Sequence, residues 1–215
     1  MNRPLRVDMF VEDRAHEDLL RPLIRRVAQG EGRQLSLQVR SGRGGHGRAI
    51  REFKNYQVLA SKGLVGSSSP DLLVVGIDGN CTSFAQMRAE IEQATRGEFR
   101  HLLVTACPDP HVERWYMADP QSFHEVVGLT PVVGQRKCER EHYKRLLSSA
   151  VTEAGHPPTL GGIEFARDLV EKMDFFRAGK TNPSFNAFLQ ELRGGVKRAL
   201  EDPSAAGDLG DDGGV

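Results

Sequence analysis

The sequence predicts an α/β fold: a mostly parallel sheet flanked by helices, with a helical C-terminal extension. Three observations carry this. Short β-rich runs alternate with amphipathic helical stretches through the first 107 residues. Two of the runs, DLLVVGI and HLLVTAC, are continuously apolar, as strands covered on both faces are. The second half reads mostly as helix.

Leu5 to Val11 alternates and is β-rich, a first strand. Asp13 offers an N-cap for a helix over Arg14 to Gln29, where Leu19, Leu20, Leu23, Ile24 and Val27 form an apolar stripe. Leu35 to Val39 is a second strand and SGRGGHG a tight loop, followed by a helix over Arg48 to Lys62. The turn SSSP leads into the strand DLLVVGI; a helix over Phe84 to Thr95 precedes the strand HLLVTAC. Further helical segments are expected at His111–Ala118, Glu139–Glu153, Ile163–Arg177 and Ser184–Leu200. Helices between successive strands imply right-handed crossovers. The expected organisation is an α/β core over residues 1–120, a helical extension packed on it over 121–200, and a disordered acidic, Gly-rich tail over 201–215.

The 215 residues suffice for one substantial core. Lys plus Arg and Asp plus Glu number 29 each, so overall charge gives no attraction for a polyanion, and nucleic-acid binding would need a local basic patch. Three cysteines, none spaced C-x-x-C, argue against a zinc ribbon or disulfide framework and for reduced thiols. No apolar run approaches a membrane span, and the N-terminus lacks a signal-peptide apolar region, so a cytoplasmic location is expected.

In parallel α/β sheets, ligands sit beyond the carboxyl ends of the strands. There the sequence puts Glu12, Asp78 and Glu113, and near them Glu17 and Asn80. Hard cations such as Mg²⁺ take oxygen ligands, and carboxylates from separate elements suit one or two such ions. The bland alternatives are a cap at Asp13, a turn at Asp78 and Asn80, and a favourable helix-dipole contact at Glu17. His16 is a possible base or ligand, and Asp109 and His111 could support the ligands from behind. The loop RSGRGGHGR presents glycines with Arg40, Arg43, His46 and Arg48, a pattern that suits a nucleic-acid backbone; Lys144 could add charge. It lacks the Lys-Ser/Thr ending of a P-loop, which excludes nucleotide hydrolysis of that kind. A receiver-like phosphoacceptor domain would need a Lys after a fifth strand, which cannot be placed.

The strand–helix order, Glu12 after the first strand and the Asp78-x-Asn80 pair after the third resemble the TOPRIM fold of topoisomerases, primases and OLD nucleases. VEDRAHE, IDGNC, PDPHVERWYMADP and GGIEFARDLVEKMDFFRAGKTNPSFNAFLQELR are similar to a TOPRIM-like family of bacterial proteins often linked to phage-defence loci, over nearly the whole chain to about residue 200. The resemblance implies a Mg²⁺- or Mn²⁺-dependent nuclease acting on DNA or RNA. Glu12 would be acid/base or metal ligand and Asp78 a metal ligand. Asn80 stands where the family pattern has a second Asp, Asp13 where it has Gly, and His16 where OLD-like sequences tend to have an acid. Glu113 could supply the charge lost at Asn80. The alternative it implies is a non-catalytic subunit working with a partner such as an ATPase.

Overall fold

The computed structural model describes residues 3–40, 44–66, 69–139, 141–157 and 159–201. Arg43 and the tail beyond Glu201 lie outside these residues. Among the described residues the strands are β1 (Leu5–Val11), β2 (Leu35–Val39), β3 (Leu72–Gly76) and β4 (Leu103–Ala106). They form one sheet, all parallel, in the order β2-β1-β3-β4. Helices α1 (Arg14–Gly30), α2 (His46–Ala60) and α3 (Phe84–Ala94) are the crossovers. The α/β class with a parallel sheet is therefore as the sequence predicts.

One face of the sheet packs Phe10, Leu73, Val75 and Ile77 against Phe53 and Tyr56 of α2 and Met87 and Ile91 of α3. The other face, with Val7, Met9, Leu72, Val74 and Val104, packs against α1 and the C-terminal helices. Those helices are α4 (Glu113–Tyr116), α5 (Pro120–Val127), α6 (His142–Glu153), α7 (Ala166–Lys172), α8 (Phe175–Thr181) and α9 (Pro183–Glu201). A single apolar cluster runs from β1 through Trp115, Leu147 and Leu169 to Phe188, so sheet and extension share one core. Two glycines permit the close approaches. A Cβ at Gly76 would lie 2.9 Å from Leu20 of α1, and one at Gly195 of α9 would lie 2.9 Å from Leu72.

Three departures from expectation bear on the site and the core. The single helix expected over Ile163–Arg177 is broken into a 3₁₀ turn (Ile163–Phe165), α7 and α8. Met173 is extended there, and the Asp174 carboxylate accepts from the Phe176 and Arg177 amides to start a new helix. Helix α5 was not anticipated, although Asp119 followed by Pro120 at N1 is a helix-start signal. Third, two of the three cysteines are not reduced thiols: Cys81 and Cys138 are joined with their Cα atoms 4.7 Å apart, and only Cys107 is free and buried. Spacing of 57 residues gave no hint of that pairing. Among the described residues no helix is long and apolar enough to cross a membrane.

Candidate active site at the β1/β3 switch point

The chain leaves β1 toward β2 on one side, whereas β3 and β4 lie on the other. The strand order therefore reverses between β1 and β3, and the carboxyl ends of such a pair are where parallel α/β sheets form their ligand crevice. Glu12 follows β1 and Asp78 follows β3 by two residues. The Glu12 amide donates to the Gly76 carbonyl at 3.1 Å, which continues the ladder one step and fixes where its side chain starts. Its Oε2 accepts the Asp78 backbone N–H at 3.2 Å.

Asp78 is the hub. One carboxylate oxygen, Oδ1, accepts the Val112 amide at 2.8 Å, and the other, Oδ2, lies 2.9 Å from His111 Nδ1. His16, on the first turn of α1, has its Nε2 3.2 Å from Asp78 Oδ1, although without hydrogen-bond alignment. Its Nδ1 lies 2.8 Å from Asp13 Oδ1, and Asp13 also caps α1 by accepting the His16 amide. His16 is fully buried and Asp78 and His111 nearly so. An Asp13–His16–Asp78–His111 chain thus lies beneath the crevice.

Charges in this chain are mutually stabilised. Burial pushes the Asp78 carboxyl up, but the two imidazoles outweigh it and hold the group below the usual carboxylate range. Burial likewise favours neutral His16, yet Asp78 and Asp13 raise its pKa well above the ordinary value. Asp13, opposed by burial but bonded to His16, falls to about 2. The hydrogen bond to Asp78 raises His111. Glu12 and Glu113 behave oppositely: burial first and the Asp78 charge second raise both pKa values. Both glutamates therefore feel the Asp78 charge, and Glu12 bonds the Asp78 amide directly.

The chain matches no protein-family model, no curated protein and no solved structure.

Other residues singled out in the sequence are placed as follows. Glu17 pairs with Arg21 one turn along α1, at 2.9 Å. Asn80 adopts a left-handed backbone with φ 51° and donates its amide to the Pro110 carbonyl. The glycine loop docks on β1: the Gly44 and Gly45 amides both reach the Glu12 carbonyl, at 3.3 and 3.1 Å. Those N–H groups, expected to face phosphate, are used within the fold. Arg40 bonds the buried Asp8 at 3.0 Å, beside Tyr56, whose hydroxyl also donates to Asp8. His46 pairs with Glu90, Arg48 with Glu52, and Lys144 with Glu141 at 4.0 Å. Asp109, by contrast, bonds Lys137.

Among the described residues no group of three or more His, Cys, Asp or Glu side chains is arranged to hold a metal ion. Mg²⁺ does not demand such a cage, because it keeps several waters and uses one or two carboxylates plus substrate phosphate. Glu12 and Glu113 carry the oxygen donors that such an ion takes. Both oxygens of Asp78 are already engaged by His16, His111 and Val112. Sequence reasoning missed that hub role. The signal was present in His16 and His111, each within a few residues of a strand end, but only the fold aims both at Asp78.

Proposed function

We propose that this protein is a metal-dependent phosphodiesterase that hydrolyses nucleic-acid backbones, on a TOPRIM-like core. The observation that carries the reading is the pair of half-buried and buried glutamates, Glu12 and Glu113, raised toward the protonated form beside Asp78 at the β1/β3 crevice. Carboxyls whose ionised form is costly are suited to take and return a proton or to hold a cation. Glu12 and Glu113 would hold Mg²⁺ or Mn²⁺, which when bound polarises the phosphate and lowers the pKa of water. Glu12 would take the proton of the attacking water and return it to the leaving oxygen as the P–O bond to that oxygen breaks. Asp78 acts through its neighbours: it holds His111 and His16 in place and raises the pKa of each. Arg40 and Arg48 keep guanidinium N–H donors beyond the one each spends on a carboxylate, and they supply positive charge beside β1.

The deciding measurement is cleavage of labelled DNA and RNA, with Mg²⁺ or Mn²⁺, by the natural protein beside Glu12→Gln. The natural protein is expected to cut, and the variant to be at least about a hundredfold slower. Equal rates would refute the assignment. A second reading, a binding or regulatory subunit paired with a partner such as an ATPase, is favoured by Asn80 in place of an acid and by the engaged oxygens of Asp78. Calorimetry separates the two: no uptake of Mg²⁺ or Mn²⁺ at millimolar concentration selects the second.

A further inference from the structure

A cavity of about 520 Å³ is walled in part by the Asp109–Pro110 segment. Its walls are Pro110, Phe84 at the start of α3, the 135–137 loop, and the N-terminus of α9. Three cations line it: Arg114, Arg136 and Lys137. Two carboxylates lie against them. Lys137 Nζ sits 3.0 and 3.1 Å from the two oxygens of Asp109, and Arg136 Nη1 is 3.3 Å from Glu139. Arg114 Nη1 bonds the Asp109 carbonyl at 2.9 Å. Each guanidinium has five N–H donors in a fork, so these bonds leave it able to grip an anion.

The loop that carries the cations is held in place. The Tyr143 hydroxyl accepts the Arg136 amide at 2.8 Å and donates to the Gly134 carbonyl at 2.9 Å, and Cys138 is tied to Cys81. The decisive observation is Asn182, which is only 2% exposed and lines the cavity. Its Oδ1 accepts from the Ser184 hydroxyl at 2.8 Å and the Phe185 amide at 3.3 Å. The Phe185 N–H can only donate, which fixes the amide orientation. The Nδ2 is then buried with no hydrogen-bond partner among the described residues. A buried donor without an acceptor is costly, and an anion at the positive end of the 19-residue helix α9 would satisfy it.

We propose that this cavity binds a terminal phosphate monoester of nucleotide size. The phosphate meets Arg136, Lys137 and Asn182, and the nucleoside rests against Phe84 and Pro110. A volume of this size suits a small ligand. Asp109, which lines the cavity, is two residues before His111, which bonds Asp78. The inference rests on the phosphodiesterase reading only for the strand that carries the phosphate.

The chain contains one tryptophan, Trp115, whose Nε1 donates to Ser184 Oγ at 3.0 Å, so its fluorescence reports on the Asn182–Ser184 corner. The full-length protein is titrated, with calorimetry in parallel, against inorganic phosphate, adenosine 5′-monophosphate, adenosine, and short single-stranded DNA with and without a phosphate at either end. Phosphorylated probes are expected to bind at least about tenfold more tightly than their hydroxyl counterparts. The Arg136→Ala/Lys137→Ala variant, changed only at exposed positions, should lose that preference while melting as the natural protein does. Asn182→Asp should lose it as well. Tighter binding of the phosphorylated strand than of the mononucleotide assigns the site to strand ends, and the reverse assigns it to free nucleotide. Equal binding of phosphorylated and hydroxyl probes, or full preference in the double variant, overturns the proposal. If the preference is found but no cleavage is, the phosphodiesterase reading alone fails. Cleavage without the preference sinks this inference alone.

Discussion

Replacing Asp78 with Ala should destabilise the protein more than it informs about catalysis. The carboxylate is 7% exposed and touches two imidazoles and one backbone amide. Removing it strands the fully buried His16, whose raised pKa depends on Asp78 before Asp13, and deprives the Val112 N–H of its acceptor. Breaking a buried ion pair from one side costs about 3–5 kcal/mol. In a chain of this length that is a fall in Tm of roughly 6–20 °C. Linkage adds a second signature. A histidine raised in the folded state contributes stability that is fully present below its unfolded pKa of 6.5 and lost as pH rises through its folded value. The natural protein should therefore weaken on the alkaline side of 6.5, and Asp78→Ala should flatten that slope. Urea unfolding at several pH values, with the imidazole resonances of His16 and His111 followed by NMR, measures both effects. A variant that melts within a degree or two of the natural protein, with an unchanged alkaline slope, would refute the hub.

Glu113→Gln should act in the opposite direction. Glu113 is 8% exposed and raised above 4.5, so its ionisation opposes folding: stability falls as pH rises from 4.5 through the raised value. Its amide should raise Tm at neutral pH by about 2–4 °C, the equivalent of about 1 kcal/mol, and abolish stabilisation by added Mg²⁺; scanning calorimetry with and without the ion reads both. Asp119, 1% exposed, accepts from the Ser122 hydroxyl, the Asp174 amide and twice from Arg177. Asp119→Ala should cost about 2–3 kcal/mol in urea unfolding. Because these bonds outweigh burial and lower its pKa, the contribution holds above 3.8 and is lost as pH falls through the lowered value. Thiol titration in denaturant without reductant should find one thiol per chain, Cys107; three would refute the Cys81–Cys138 link.

The four strands and three crossover helices were legible because each carries its own signal: an apolar run, a period, a cap. Helix boundaries shifted by only a residue or two, as where α2 begins at His46 rather than Arg48. The second half was less legible because its breaks depend on single polar residues. Asp174 ends one helix and starts another through its own backbone contacts, and nothing in the apolar pattern of 163–177 announces it. The site divides similarly. Position relative to the sheet was readable, since Glu12 and Asp78 follow strands and the carboxyl-end rule applies. Partnership was not. Whether Arg40 faces solvent or Asp8, or whether the Gly44 and Gly45 amides face a ligand or the Glu12 carbonyl, is decided by long-range packing.

The same packing separates structural from chemical roles within one cluster. Asp78 is charged, buried and compensated, so the fold itself accounts for its being an acid. Glu12 and Glu113 are not compensated in this way. Each is buried enough to resist ionisation and close enough to Asp78 to be repelled, and His16 offsets that repulsion only in part. A glutamine at either position would satisfy the same volume with less electrostatic cost. On the proposed function, carboxyl groups stand here because they would act on a bound cation or a moving proton. The question of function therefore narrows to these two side chains, because Asp78 variants disturb stability and chemistry together. Glu12→Gln and Glu113→Gln should leave the fold intact or firmer, so any loss of cleavage or of metal uptake in them reports on chemistry.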